Sequence, residues 1–240
     1  LTDAERVLGP DHPNTLGSRN NLAGAYQSAG DLKRAIPLYE AVLTDAERVL
    51  GPDHPNTLTS RNNLAVAYQS AGDLKRAIQL YEAVLTDRQR VLGPDHPNTL
   101  TSRNSLAGAY QSAGDLKRAI PLYEAVLTDA ERVLGPDHPN TLTSRNNLAG
   151  AYRSAGDLKR AIPLHEATLA DYERVLGPDH PDTLGSRNSL AGAYRSAGDL
   201  KRAIPLYEAV LTDAERVLGP DHHLTRTIRS ILDTTTSGHH

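Results

Sequence analysis

Cysteine, methionine, phenylalanine and tryptophan are all absent from this 240-residue chain. Without cysteine there is no disulfide framework, and no thiolate to act as nucleophile or metal ligand. Without Phe, Trp or Met, a core has to be assembled from Leu, Ala, Val, Ile and the ten Tyr, a palette of mostly small apolar side chains that suits closely packed helices. An excess of charge is lacking too: 26 basic against 29 acidic residues leave a formal −3. No basic field exists to gather nucleic acid. No apolar run approaches the roughly 20 residues of a membrane span, and the N-terminus lacks the charged-then-apolar layout of a signal peptide. These absences point to a soluble chain, cytoplasmic by default, with no nucleic-acid or membrane partner and no cofactor.

What is present is repetition. GPDHPNTL stands at residues 51–58, and the same eight letters or close variants begin at Gly9, Gly93, Gly135, Gly177 and Gly219, always 42 residues apart. Self-similarity at a period of about 20–50 residues marks arrays in which each unit buries its apolar face only against its neighbours. A catalytic centre is built once per domain from residues gathered out of different places, so a motif copied this often reads as architecture and the chain as a non-enzyme. The period sets boundaries: residues 1–8 end a helix whose beginning is missing, repeats run over 9–50, 51–92, 93–134, 135–176 and 177–218, and residues 219–240 form a partial closing helix and tail. The chain reads as a fragment of a longer array, and its closing Ser-Gly-His-His as the stub of a purification tag.

Residues 51–92 show how one unit should fold. Asp53 is the expected cap of a helix A over residues 54–71, with Pro55 in the opening turn, where a missing amide hydrogen does no harm. Gly72 can take the left-handed conformation that ends a helix and Asp73 can cap the next, so a tight turn makes the two helices antiparallel. Helix B places Leu74, Ala77, Ile78, Tyr81, Val84, Leu85, Val91 and Leu92 at three- and four-residue spacing, one apolar stripe facing a core. Asp87 and Arg90 recur as Asp45/Arg48, Asp129/Arg132, Asp171/Arg174 and Asp213/Arg216, solvated helix pairs worth about 0.3 kcal/mol each. Leu92, Gly93 and Pro94 form a stop signal. Pro37, Pro121, Pro163 and Pro205 fall inside helix B, where proline costs about 3 kcal/mol; because Gln79 occupies the same place with the apolar spacing unchanged, a continuous but bent helix is expected. In the closing segment Ile228, Ile231 and Leu232 make one short apolar stripe, while Thr234 to Thr236 favour fraying.

The stretch NLAVAYQSAGDLKRAIQLYEAVL, Asn63 to Leu85, resembles the tetratricopeptide repeat through Leu64, Ala65, Tyr68, Ala77 and Tyr81. Val84 stands where the family's last Ala is usual, and Arg61 where an aromatic is usual. The 42-residue period, the DHP loop and the mid-helix PLY are similar to the kinesin-light-chain-like variety, whose helices are longer than those of the common form. The resemblance implies an all-α, right-handed superhelical solenoid of antiparallel helix pairs, whose A helices line a concave groove that binds an extended peptide or protein segment. Two other readings stay open: a structural array that self-associates end to end through exposed terminal helices, and the sensor end of a larger signalling ATPase. No phosphate-binding GxxxxGK[ST] occurs in this sequence.

By the same resemblance, the groove-facing positions of the second repeat are Thr59, Asn62, Asn63, Val66, Gln69 and Ser70. Asn20, Asn62, Asn104, Asn146 and Asn188 repeat in every unit, and Asn21, Asn63 and Asn147 adjoin them, with Ser105 and Ser189 in the other two. An amide carries both donor and acceptor, so a ladder of them can pair with the backbone of an extended segment, or equally bond neighbouring helices. Gln27, Gln69 and Gln111 become Arg153 and Arg195 along the array, which should suit a segment with acidic residues at one end. Family members that grip a terminal carboxylate use Lys and Arg where Asn62 and its equivalents stand, which argues against such a clamp. Gly24, Gly108, Gly150 and Gly192 sit inside helix A at about 1 kcal/mol each relative to Ala; tight packing between adjacent A helices is the expected offset, ahead of close approach by a ligand backbone.

Histidines recur at His12, His54, His96, His138, His180 and His222. Adjacent helices pack about 8–10 Å apart, whereas the ligands of one zinc lie about 2 Å from it, so these residues are assigned to helix-start capping and no metal is expected. His165 breaks the Tyr39, Tyr81, Tyr123, Tyr207 series, and Tyr172 replaces a position that is Ala46 in the first repeat. Both read as repacking in one diverged unit, since no unrepeated nucleophile accompanies them.

Overall fold

The computed structural model of this chain describes residues 6–237. Among them the regular elements are all helical: α1 (Pro13–Ser28), α2 (Leu32–Leu50), α3 (Pro55–Ser70), α4 (Leu74–Leu92), α5 (Pro97–Ser112), α6 (Leu116–Leu134), α7 (Pro139–Ser154), α8 (Leu158–Leu176), α9 (Pro181–Ser196), α10 (Leu200–Leu218) and α11 (His223–Ser237). Odd numbers are A helices and even numbers B helices. Residues 6–8 form a helical turn ahead of α1; the rest of the expected first segment, and residues 238–240 of the suspected tag, lie outside the described residues. The chain divides into two compact units, Leu1–Ala119 and Ile120–His240, the boundary falling within α6. In the first, α1 to α5 pack each on the next and α1 also touches α3. In the second, α7 to α11 do the same, with α7 touching α9. Each is an all-α stack of antiparallel helix pairs, the solenoid packing that the repeats require.

Local rules account for the helix ends, with one correction. The cap of α3 is His54 and not Asp53: the His54 Nδ1 accepts from the Asn56 amide at 3.1 Å. His12, His96, His138 and His180 do the same for α1, α5, α7 and α9. Asp53 is thereby free to turn its carboxylate to Arg90 in α4. Asp73 caps α4 as expected, accepting from the Arg76 amide at 3.1 Å. Gly72 and Gly93 adopt φ of +79° and +89°, conformations that would strain a residue with a Cβ. The B helices run unbroken through Pro37, Pro121, Pro163 and Pro205. These prolines are exposed, so each forfeits one ladder bond on the solvent side without disturbing the buried stripe.

The core of α4 is Ala77, Tyr81 and Val84, joined by Arg88, whose Nη1 donates to Ser102 Oγ at 2.6 Å. Val91, assigned to the stripe, is exposed. The Asp87/Arg90 pair is not an isolated helix pair either. Arg61, in the place of the usual aromatic, bonds Asp87 of α4 at 2.5 Å and Glu47 of α2 at 2.7 Å, with only 11% of its side chain exposed. Asp87 also meets Arg90 at 3.2 Å, and Arg90 meets Asp53. The result is a chain of five charges linking α2, α3, α4 and the loop between α2 and α3. Arg145 and Arg187 make the same two contacts in the second unit. A second stitch joins each A helix to the preceding B helix: Tyr110, Tyr152 and Tyr194 donate to Glu82, Glu124 and Glu166, each at 2.5 Å.

Two further expectations change. At Gly24 an added Cβ would meet the Tyr39 hydroxyl at 3.4 Å, and at Gly192 it would collide with the Arg153 guanidinium. Side chains, rather than adjoining helix backbones, fill the space that these glycines leave. In α11, Ile228 and Leu232 are buried with Ile231 packed beside them, and the helix continues through Thr234 to Thr236 instead of fraying. The Thr234 and Thr235 hydroxyls donate to the Ile231 carbonyl at 2.9 and 2.6 Å, occupying an acceptor near the helix end.

Candidate functional site: polar positions of the A helices

In the first unit, part of the amide ladder is engaged in architecture. Asn63 Nδ2 of α3 donates to Asn20 Oδ1 of α1 at 3.3 Å. Gln27 Nε2 donates to Ser70 Oγ at 3.4 Å, and Gln69 Nε2 to Ser112 Oγ at 3.1 Å, each bond spanning 43 residues between consecutive A helices. Gln69 Oε1 also accepts from the Tyr81 hydroxyl at 3.0 Å; burial drives that phenol up to about 12, so it stays a donor at any ordinary pH. Asn21 is exposed and Gln111 half-buried. Asn62 and Asn104 differ from these: their Oδ1 atoms are buried and have no hydrogen-bond partner among the described residues.

In the second unit the ladder is less uniform. Asn188 Oδ1 is buried without a partner, as in Asn62 and Asn104. Asn147 is half-buried. Asn146 Oδ1 lies 3.1 Å from the Nδ1 of His165. With a carboxamide oxygen as acceptor, that nitrogen carries the proton and leaves Nε2 as a buried acceptor, itself without a partner. Burial first, and then the charge of Arg153, push the imidazole down from 6.5 to about 4, so His165 is neutral near pH 7. It is sealed from solvent, 1% exposed, and packs in place of a tyrosine.

Arg153 and Arg195 take over from glutamine with a change of character. Arg153 of α7 is half-buried and lies over Gly192 of α9, while Arg195 is exposed. Both charges reach the buried Tyr207 hydroxyl and oppose the upward push that burial gives it. Neither forms an ion pair among the described residues, in contrast to Arg145, Arg160, Arg174, Arg187, Arg202 and Arg216 of the same unit. Two cations without carboxylates thus stand on consecutive A helices. Both arginines and the asparagine ladder are legible in the sequence as candidates. Ser70 and Ser112 are not legible there as the partners of the glutamines, because nothing in a 42-residue repeat says which side chains on two copies face each other. Among the described residues no three His, Asp or Glu side chains converge as metal ligands, and no helix is long and apolar enough to cross a membrane.

The family model for the tetratricopeptide repeat matches residues 1–44, 18–89, 75–129, 104–174 and 148–216. Among solved structures, a candidate kinesin light chain of Podosopora anserina with nearly identical TPR-like repeats is similar at 35% identity and a TM-score of 0.68, covering 85% of this chain and 97% of that one. A variant of it aligns at 34% identity and a TM-score of 0.70 over the same shares. BtubC from P. vanneervenii is similar at 24% identity, with a TM-score of 0.69, covering 92% of this chain and 89% of that one. A Rap protein complexed with competence and sporulation factor shares 14% identity at a TM-score of 0.69, over 90% of this chain and 63% of that one. At such identities the last two speak for the fold alone. No curated protein sequence matches the chain.

Proposed function

Because the chain belongs to the tetratricopeptide repeat family, with repeats of the kinesin-light-chain-like kind, we propose that it is a protein–protein interaction scaffold whose A helices hold an extended peptide or protein segment. The observation that carries this reading is the pairing state of the A-helix side chains. Asn62, Asn104 and Asn188 bury an oxygen without a donor, and an unpaired buried acceptor costs about 1–3 kcal/mol. An amide that turns its oxygen outward can accept from a backbone N–H of a bound segment, which removes this cost without asking for a particular sequence. Arg153 and Arg195 add two unpaired guanidinium groups in the second unit, and these favour a segment with acidic residues at that place. The Rap neighbour is seen in complex with competence and sporulation factor, which agrees with a scaffold. Catalysis is disfavoured because candidate nucleophiles and bases recur in every repeat.

The test is selection of peptides from a random display library against the whole chain, followed by anisotropy measurements on the enriched sequences. Binding should be enriched in acidic residues and weakened about tenfold or more by Arg153→Gln with Arg195→Gln, and again by Asn62→Ala with Asn188→Ala. Enriched peptides whose affinity ignores all four substitutions would refute the assignment. A second reading, end-to-end self-association, is favoured by one feature: Val7 and Leu8 are 66% and 43% exposed. Sedimentation that shows a mass rising with concentration, abolished by Val7→Ser with Leu8→Ser, would favour it over the first.

A further inference from the structure

Among near-identical repeats, the places where the copies diverge together are informative, and five divergences line one cleft. Gly185 of α9 stands where α3, α5 and α7 carry Thr59, Thr101 and Thr143, and a Cβ there would meet nothing within 4 Å. The bare helix surface opens a cleft of about 430 Å³ bounded by Thr143 and Tyr172 on one side and Leu218, His223 and Leu224 on the other. Gly17 of α1 makes the same omission, yet the cleft beside it holds only about 150 Å³. Asn56 in the lining there corresponds to Leu224 beside Gly185, where in addition Tyr172 holds a repeat position that is Ala46, Ala130 and Ala214 elsewhere, Asp182 one that is Asn in the four preceding repeats, and His223 one that is Pro. The sequence reading took Tyr172 as repacking of a diverged repeat; the structure places it in this wall, 97% buried, with its hydroxyl 3.1 Å from that of Thr143.

We propose that this cleft is a binding site for a basic side chain, an arginine of a partner protein segment. Of the described residues that line it, Asp182 is the one acid and none is Lys or Arg; His222 and His223 stand at its far side. Ser186, 1% exposed, buries a hydroxyl that has no partner. Its counterparts Ser102 and Ser144 donate to the carbonyls of Asn98 and Asn140 at 3.1 and 2.9 Å. A guanidinium brings five donors, which meet the Asp182 carboxylate and the hydroxyl oxygens of Ser186, Thr143 and Tyr172, while its methylene stem lies against Leu218 and Leu224. A carboxylate guest would face Asp182 across the cleft, and an apolar guest would leave Ser186 unpaired. The site rests on the scaffold reading only in that the arginine belongs to a bound segment; its recognition by the cleft does not depend on Arg153, Arg195, Asn62 or Asn188, none of which lines it.

The experiment titrates the isotopically labelled full chain with the capped tripeptide acetyl-Gly-Arg-Gly-amide and follows backbone amide resonances. The amides of Gly185, Ser186 and Leu224 should shift saturably with a Kd on the order of 1 mM, the range open to one small charged ligand. The capped Gly-Glu-Gly tripeptide should leave them in place. Asp182→Asn should raise the Kd about tenfold, and Gly185→Thr should abolish the shifts. Both variants install residues that other repeats already hold at these positions, so the fold survives, and an unchanged thermal midpoint checks this. No saturable shift in the wild type, equal shifts with the glutamate tripeptide, or full binding by the Gly185→Thr variant would each overturn the proposal. Because no selected partner is involved, such a failure leaves the result of the library experiment standing.

Discussion

Replacing His165 with tyrosine should remove a pH-dependent weakness from the second unit. The His165 ring is 1% exposed, and burial followed by the Arg153 charge lowers it from 6.5 to about 4. In the folded chain the imidazole is therefore neutral across an interval in which the unfolded chain takes up a proton. Between pH 6.5 and about 4 the unfolded state binds more protons, so this contribution is fully present above pH 6.5 and is lost as the pH falls toward 4. At 1.36 kcal/mol per unit, the loss amounts to about 3 kcal/mol by pH 4, of which about 2 kcal/mol falls by pH 5. Tyrosine stays neutral throughout and is the residue that the other four repeats carry, as Tyr207 does one repeat further on. Urea denaturation of wild type and His165→Tyr from neutral pH down to about pH 5 gives the difference, and amide exchange within α8 localises it. Titration of the paired aspartates is common to both proteins and cancels. Midpoints that fall in parallel would refute the assignment of a neutral, buried imidazole.

The asparagine ladder should split in two under mutation. Asn146→Ala strands the buried Nδ1 of His165 and should cost about 1–3 kcal/mol, whereas Asn62→Ala breaks no bond, removes a buried acceptor without a partner and exchanges a middling helix former for the best, so its urea midpoint should rise, by up to about 1–3 kcal/mol. Equal losses at both positions would contradict the pairing described above. Arg61→Ala removes the most buried member of the five-charge chain and should lower stability by about 1–2 kcal/mol, a loss that high salt reduces only partly because Arg61 is largely shielded from solvent. Deleting one 42-residue repeat should shift the unfolding midpoint by a step, since the stability of a linear array is a sum of unit and nearest-neighbour terms; a truncation series with one constant midpoint would show otherwise.

Much of the helix scaffold was legible because its determinants are local. Gly72 and Gly93, Asp73 and the helical spacing of Ala77, Tyr81 and Val84 act within a turn or two of themselves, and each does in the structure what its position implies. Where the reading slipped, two local solutions competed. Asp53 and His54 can both cap α3, and the choice went to histidine because the aspartate had a stronger partner in Arg90, 37 residues away. The candidate site was legible only as a set of residue types. That Asn20 pairs with Asn63, that Asn62 pairs with nothing described, and that Asn146 pairs with a histidine are three outcomes for one repeated letter.

The sequence by itself determined the 42-residue period, the alternation of A and B helices, their turns and the stripe that faces inward, because these follow from backbone preferences and from apolar spacing along a single helix. Tertiary structure alone decided that Arg61 reaches Asp87 and Glu47, that Tyr110 reaches Glu82, and that the loss of one threonine side chain at Gly185 becomes a cleft when Tyr172 and His223 stand around it. Those pairings join residues 14 to 28 positions apart on different helices. Which of them meet depends on the crossing and register of packed helices, and a repeat length records neither.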